Sequence, residues 1–175
     1  LALTVGELDK TPITGLSVPG YVYSPKGTGN QTGYAIEHTP KILEALEAYF
    51  GIDYPFKKLD FVAVPDFAFG AIENPGLVTY RTELLLRGDK ATGNDAASTL
   101  NVIAHELAHM WYGNLVTMQW WDDLWLNEAF ATWMANKIVE TYYPELKTNL
   151  NLPQESAFYE DGLAATKAIR KEVKN

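Results

Sequence analysis

His105-Glu106-Leu107-Ala108-His109 sets two imidazoles four residues apart, with a carboxylate beside the first. On an α-helix, residues i and i+4 share one face at a spacing of about 6 Å. Two imidazoles so placed can hold one divalent ion, and zinc binds His nitrogens at about 2.0–2.1 Å. Glu106 follows the first imidazole, where a carboxylate reaches a water on the metal without being a ligand. Zinc lowers the pKa of such a water from about 15.7 towards 7, and a nearby base completes its activation. The competing explanation is a chance match among surface residues. Ile103, Leu107 and Met110 argue against it, because they surround the motif with apolar side chains. Buried His and Glu are costly unless paired or metal-bound.

A catalytic zinc keeps three protein ligands and one open position. The chain has no cysteine, so the ligands must be His and carboxylates. Its third histidine, His38, stands near a helix start and is expected to be solvated or locally hydrogen-bonded. Glu128, in Asn127-Glu128-Ala129-Phe130, lies nineteen residues after His109 and is the candidate third ligand. A turn through Gly113 would fold its helix back beside the first. Leu126, Ala129, Phe130 and Trp133 around it make poor company for an unpaired carboxylate.

The elements that must position these groups follow from pattern. Residues 1–22 alternate and carry Pro12, Gly15, Pro19 and Gly20, which predicts short strands with turns. Ser24 to Gly33 has loop composition. Thr39 as N-cap and Pro40 at the first helical position predict a helix through Ile42, Leu43, Leu46, Tyr49 and Phe50, closed by Gly51. Residues 59–64 form a compact strand stopped by Pro65, and a glycine-bounded segment, Gly70 to Gly76, leads into a strand over 77–80. Asn94 or Asp95 can cap a helix running to about Tyr112, closed by Gly113. Further helices are predicted over 122–143, stopped by Pro144, and over 153–174. Strands first and helices after suggest an α+β architecture. Trp111, Trp120, Trp121, Trp125 and Trp133 fall on two helices expected to pack together, so core packing is expected rather than a carbohydrate platform.

With 175 residues, 47% of them hydrophobic, the chain suffices for one packed domain or a domain plus part of a neighbour. A net charge of −8 argues against a nucleic-acid partner, because phosphate binding needs a basic surface. No run of 18 or more uncharged apolar residues offers a transmembrane segment. The chain enters a strand-like stretch at Leu1 without a signal-peptide pattern, as though excised from something longer. A soluble protein is expected, cytoplasmic in preference to periplasmic or secreted. The lack of cysteine leaves the redox compartment open.

Three motifs in order, Gly70-Ala71-Ile72-Glu73-Asn74, the HELAH segment and the Asn127-Glu128-Ala129-Phe130-Ala131 segment, resemble the gluzincin aminopeptidases. That family includes aminopeptidase N, puromycin-sensitive aminopeptidase and the leukotriene hydrolase. Asn114-Leu115-Val116-Thr117 and Trp121 to Leu126 are also similar to it. The resemblance implies a thermolysin-like catalytic domain with one zinc ion on His105, His109 and Glu128. It makes Glu106 the general base and Glu73 the anchor for the substrate's free α-ammonium. The backbone of Gly70 and Ala71, with Asn74 completing the motif, would line a peptide added as a strand. Residues 1–20 would be the end of a preceding β-domain, and 21–175 the N-terminal part of the catalytic domain. A peptide with a free N-terminus is the implied substrate, and the flanking domains of the parent enzyme, absent from this chain, are the implied partners.

Two positions depart from the family pattern: Ile72 replaces methionine and Ala129 replaces glycine. Both are small apolar changes, expected to tune the first substrate pocket. The family's oxyanion-stabilising tyrosine would fall beyond Asn175. Two other classes remain open: a zinc endopeptidase or epoxide hydrolase on the same residues, and a zinc-binding fragment with little turnover.

Overall fold

The computed structural model describes residues 2–88 and 91–148, with 158, 159, 161, 162, 168, 172 and 173 beyond them. Its sheet is built around two short apolar runs. β3 (Asp60–Val64) and β5 (Leu77–Arg81) lie side by side and parallel, with Phe61, Val78 and Tyr80 wholly buried. Near-continuous burial of this kind is what central parallel strands require. β1 (Leu8–Pro12) pairs antiparallel with β2 (Tyr21–Pro25), setting Leu8 opposite Pro25 and Pro12 opposite Tyr21. β2 runs parallel to β3, and the two-residue β4 (Ala71–Ile72) runs antiparallel to β5. The strand order is β1-β2-β3-β5-β4, which leaves β1 and β4 at the edges.

Helix α1 (Gly33–Phe50) makes the crossover between the parallel strands β2 and β3 and packs Ile42, Leu43 and Leu46 into the core. It starts at Gly33, six residues before the predicted start at Thr39, and Pro40 lies inside it. Ala35, Thr39, Ile42 and Leu43 share one buried stripe, so packing holds the extra turns. Thr39 Oγ1 does not cap; it donates to Ala35 O at 2.6 Å. Gly51 ends the helix as expected, at φ +63° with its N–H on Glu47 O.

After the short α2 (Thr82–Leu85) comes α3 (Gly93–Ala108), the central element. Leu100, Ile103, Ala104, Leu107 and Ala108 are fully buried on it. Burying one such Leu or Ile is worth about 1.5–3 kcal/mol, so α3 is held by tertiary packing. Thr92 stands at its N-cap with no side-chain cap bond, in place of the expected Asn94 or Asp95. The helix also ends four residues before the predicted Tyr112. Met110 N–H and Trp111 N–H turn to Leu107 O and Ala108 O, tightening the chain. It then widens: the N–H groups of Asn114, Leu115 and Val116 reach five residues back, to His109 O, Met110 O and Trp111 O.

This turn delivers α4 (Leu124–Tyr142) back against α3, after a 3-10 turn at Trp121–Asp123 and before Pro144. The core lies where α1, α3 and α4 meet one another and the sheet. The result is α+β, although α1 interrupts the expected run of strands. The predicted helix over 153–174 lies outside the described residues.

Two expectations need correction. Of the five tryptophans only Trp111 is in the core, its Nε1 donating to Ile52 O at 3.0 Å. Trp120 and Trp121 are exposed in the segment before α4, and Trp125 and Trp133 are exposed because α4 uses its other face, Ala131, Met134, Ala135, Ile138 and Val139, against the core. His38 is half-buried and makes no hydrogen bond among the described residues: its ring packs between Tyr34 and Tyr143, with centroids at 4.3 and 5.3 Å. None of the helices is long and apolar enough to cross a membrane, among the described residues.

Candidate metal centre

The last turn of α3 carries His105 and His109 on one face, and α4 returns Glu128 beside them. His105 Nε2 and His109 Nε2 stand 3.1 Å apart. Glu128 Oε2 lies 3.4 Å from the first and 3.7 Å from the second. Ligands held at about 2.0–2.1 Å on the corners of a tetrahedron are about 3.3–3.4 Å from one another. The three separations bracket that value, so a His-His-carboxylate site for zinc fits these residues. No other group of three or more His, Asp or Glu side chains converges in this way among the described residues.

The neighbours orient the ligands. His109 Nδ1 is 3.2 Å from Tyr112 O, and because a carbonyl only accepts, Nδ1 carries the proton. The Nε2 lone pair of a neutral His109 therefore points at the site. Thr132 Oγ1, one turn beyond Glu128 on α4, stands 3.4 Å from His105 Nδ1. Asn127, buried beside the ligand, donates from Nδ2 to Glu128 Oε1 at 3.3 Å. Gly113 makes room for this arrangement at φ +130°. A Cβ there would stand 2.5 Å from Asn127 Oδ1 and 3.1 Å from His109 Nδ1.

The electrostatics are those of an anionic pocket. Burial pushes the Glu106 carboxyl up to about 8, and Glu73 and Glu128 add to the shift against His109. Glu106 is 4% exposed, and its Oε2 has no hydrogen-bond partner among the described residues. A buried acceptor left open this way is costly unless something fills it. Burial alone would push His109 down, but the neighbouring Glu128 carboxylate and the charges of Glu73 and Glu106 outweigh it and raise its pKa. The His105 and His109 rings beside it hold the Glu128 carboxyl far below the usual range, against its partial burial. A dication among these carboxylates would offset their mutual repulsion.

The other predicted residues lie on the sheet side. Gly70 and Ala71 border a cleft of about 630 Å³ whose far wall includes His105, Glu106 and Asn136. Asn101 Nδ2 donates to Asn136 Oδ1 at 2.8 Å, joining α3 to α4 along it. Glu73 follows β4 and is close enough for its charge to act on Glu106 and His109. Asn74 turns away: its Nδ2 reaches Thr79 Oγ1 at 3.5 Å, beside the strand it leads into. Asn114, Asn127 and Thr132 have no assigned part in the site from sequence, whereas Gly113 is read there only as the turn that brings Glu128 back. The motif strings contained Asn114 and Asn127, but their contacts depend on the turn after α3.

Residues 34–175 match the profile of the Peptidase family M1 domain. Among curated relatives, Endoplasmic reticulum aminopeptidase 2 of Bos taurus is 48% identical over 79% of this chain and 15% of its own length. Aminopeptidase 2 of Candida albicans is 43% identical over 99% of this chain and 19% of its own. Probable aminopeptidase 2 of Sulfurisphaera tokodaii is 40% identical over 97% and 21%. The chain thus spans about a fifth of the length of these relatives. A profile match over most of the chain, and a metal-ligand geometry built from its ordered motifs, place this chain in peptidase family M1.

Proposed function

We propose that the chain is the metal-binding core of a zinc-dependent aminopeptidase, which removes the N-terminal residue of peptides. The observation that carries this reading is the convergence of His105, His109 and Glu128 within 4.8 Å beside the buried Glu106. The names of the relatives support the exopeptidase part. Zinc on those three ligands would supply a Lewis acid and a water of lowered pKa. Glu106 takes a proton from the attacking water and passes it to the leaving amine. Its raised pKa suits a group that must accept and release a proton near neutrality. Glu73 pairs with the substrate's α-ammonium and fixes which bond is presented. The peptide lies along Gly70 and Ala71, where β4 begins as an edge strand among the described residues, open on one side to backbone hydrogen bonds. Within the longer protein, residues 1–20 would close a preceding β-domain and 21–175 would open the catalytic one.

Zinc per chain, measured by elemental analysis after identical purification, should be near one in the wild type and clearly lower in Glu128→Ala. The zinc-loaded protein should cleave a peptide with a free N-terminus and spare its N-acetyl form. Equal cleavage of both would replace the aminopeptidase reading with an endopeptidase one. Well-folded wild type that takes up no added zinc would end it altogether.

A further inference from the structure

The turn that ends α3 carries a side chain with a task of its own. Asn114 Nδ2 donates to the backbone carbonyl of Glu73 at 2.7 Å. The carbonyl can only accept, so the amide's orientation is settled: Nδ2 faces Glu73. The same Nδ2 is 3.5 Å from the sulfur of the fully buried Met110, which engages its other hydrogen. Asn114's own N–H donates to His109 O at 2.9 Å. A continuous bridge therefore runs from a metal-ligating residue, through one asparagine, to the backbone of Glu73.

We propose that Asn114 is a positioning residue that sets the separation between the α-ammonium anchor and the metal ligands. This rests on the aminopeptidase reading, in which Glu73 is that anchor. The separation decides how much chain fits between the substrate's amino end and the bond presented to the site. One residue of extended chain occupies about 3.3 Å, so the register of a one-residue cut demands a stiff connection. Glu73 follows a two-residue strand that is paired on one side only among the described residues, which by itself is a weak anchor. Asn114 supplies the stiffness from the zinc side of the cleft. The bond joins residues 41 apart in sequence.

The test uses two probes on the zinc-loaded protein: an amino-acid hydroxamate, which has both a free amine and a metal-chelating group, and its N-acetyl derivative. Their dissociation constants are compared in wild type, Asn114→Leu, Asn114→Ala, Glu73→Gln and Glu73→Gln combined with Asn114→Leu. Wild type should prefer the free amine by about 10- to 100-fold, the range of one hydrogen-bonded charge pair. Asn114→Leu and Asn114→Ala should each cut that preference by about 3- to 10-fold, as expected for one neutral hydrogen bond. Zinc content and affinity for the acetylated probe should stay at wild-type levels. Glu73→Gln should abolish the preference, and adding Asn114→Leu to it should change nothing more.

An undiminished preference in both Asn114 variants overturns the proposal. So does an equal loss of affinity for both probes, or loss of zinc by both variants, because either places Asn114 in the folding of the turn. A wild type without any preference is a different failure: it removes Glu73 as anchor and the aminopeptidase reading with it.

Discussion

Gly113 sits where the chain must double back between His109 and Glu128, two of the candidate metal ligands, and where a side chain has no room. At φ +130°, with Asn127 Oδ1 2.5 Å from any added Cβ, Gly113→Ala combines backbone strain with a clash. The strain alone costs about 1–3 kcal/mol. The variant should melt earlier and hold zinc more weakly, since Asn127 and His109 are the atoms displaced; unchanged melting and zinc affinity would contradict this. Glu106→Gln is the complementary case, a change of charge without a change of shape. It should keep its zinc and lose about 10²- to 10⁴-fold in turnover, the usual weight of a general base; activity near wild type would remove Glu106 from that role. The convergence of His105 and His109 was legible in the sequence because they sit one helical turn apart and need only a helix to be brought together. Gly113 was legible as the turn that brings Glu128 back, but the part played by Asn114 was not. It arises from a turn whose N–H groups reach five residues back, and no local pattern announces that geometry.

Helices with a buried face were found in place, while their ends were misjudged wherever a local signal competed with packing. Thr39-Pro40 has the form of a helix start, yet the stripe Ala35, Thr39, Ile42 carries α1 through it. The same helix holds a titratable group that packing has half-buried. His38, between Tyr34 and Tyr143, has its pKa lowered by burial; Glu37 and Glu145 oppose the shift and Lys41 adds to it. A folded-state pKa below the unfolded value means that the folded chain resists protonation. Stability is then fullest above the ordinary value of 6.5 and is lost as pH falls below it. His38→Gln should therefore flatten the fall in urea midpoint between about pH 7 and pH 5. An unaltered slope in the variant would show that other groups govern the acid limb.

At the scale of the molecule, a metal held by His105, His109 and Glu128 would be a ligand of the folded state, because these three side chains converge only after α3 and α4 pack together. Zinc at a thousand times its dissociation constant adds about 4 kcal/mol to stability. Chelation should accordingly lower the melting temperature of wild type, and lower it much less in Glu128→Ala; identical melting with and without chelator would mean that the site stays open. The α+β class was legible from the order of elements. The exposure of Trp120, Trp121, Trp125 and Trp133 was not, since an apolar helix face reveals only that it can be covered, and by what is a matter of tertiary arrangement. The ends of the sheet have a further consequence, for the behaviour of many copies in one solution. An open strand edge is a template for self-association, and the usual safeguards are brevity, lysine and proline. β1 carries Lys10 and Pro12, and β4 has only two residues. The edge beside Glu73 can thus offer a visiting backbone a bond or two, yet is too short to recruit the strand of a neighbouring copy. Concentrated protein should not polymerise through the border at which its substrate would dock.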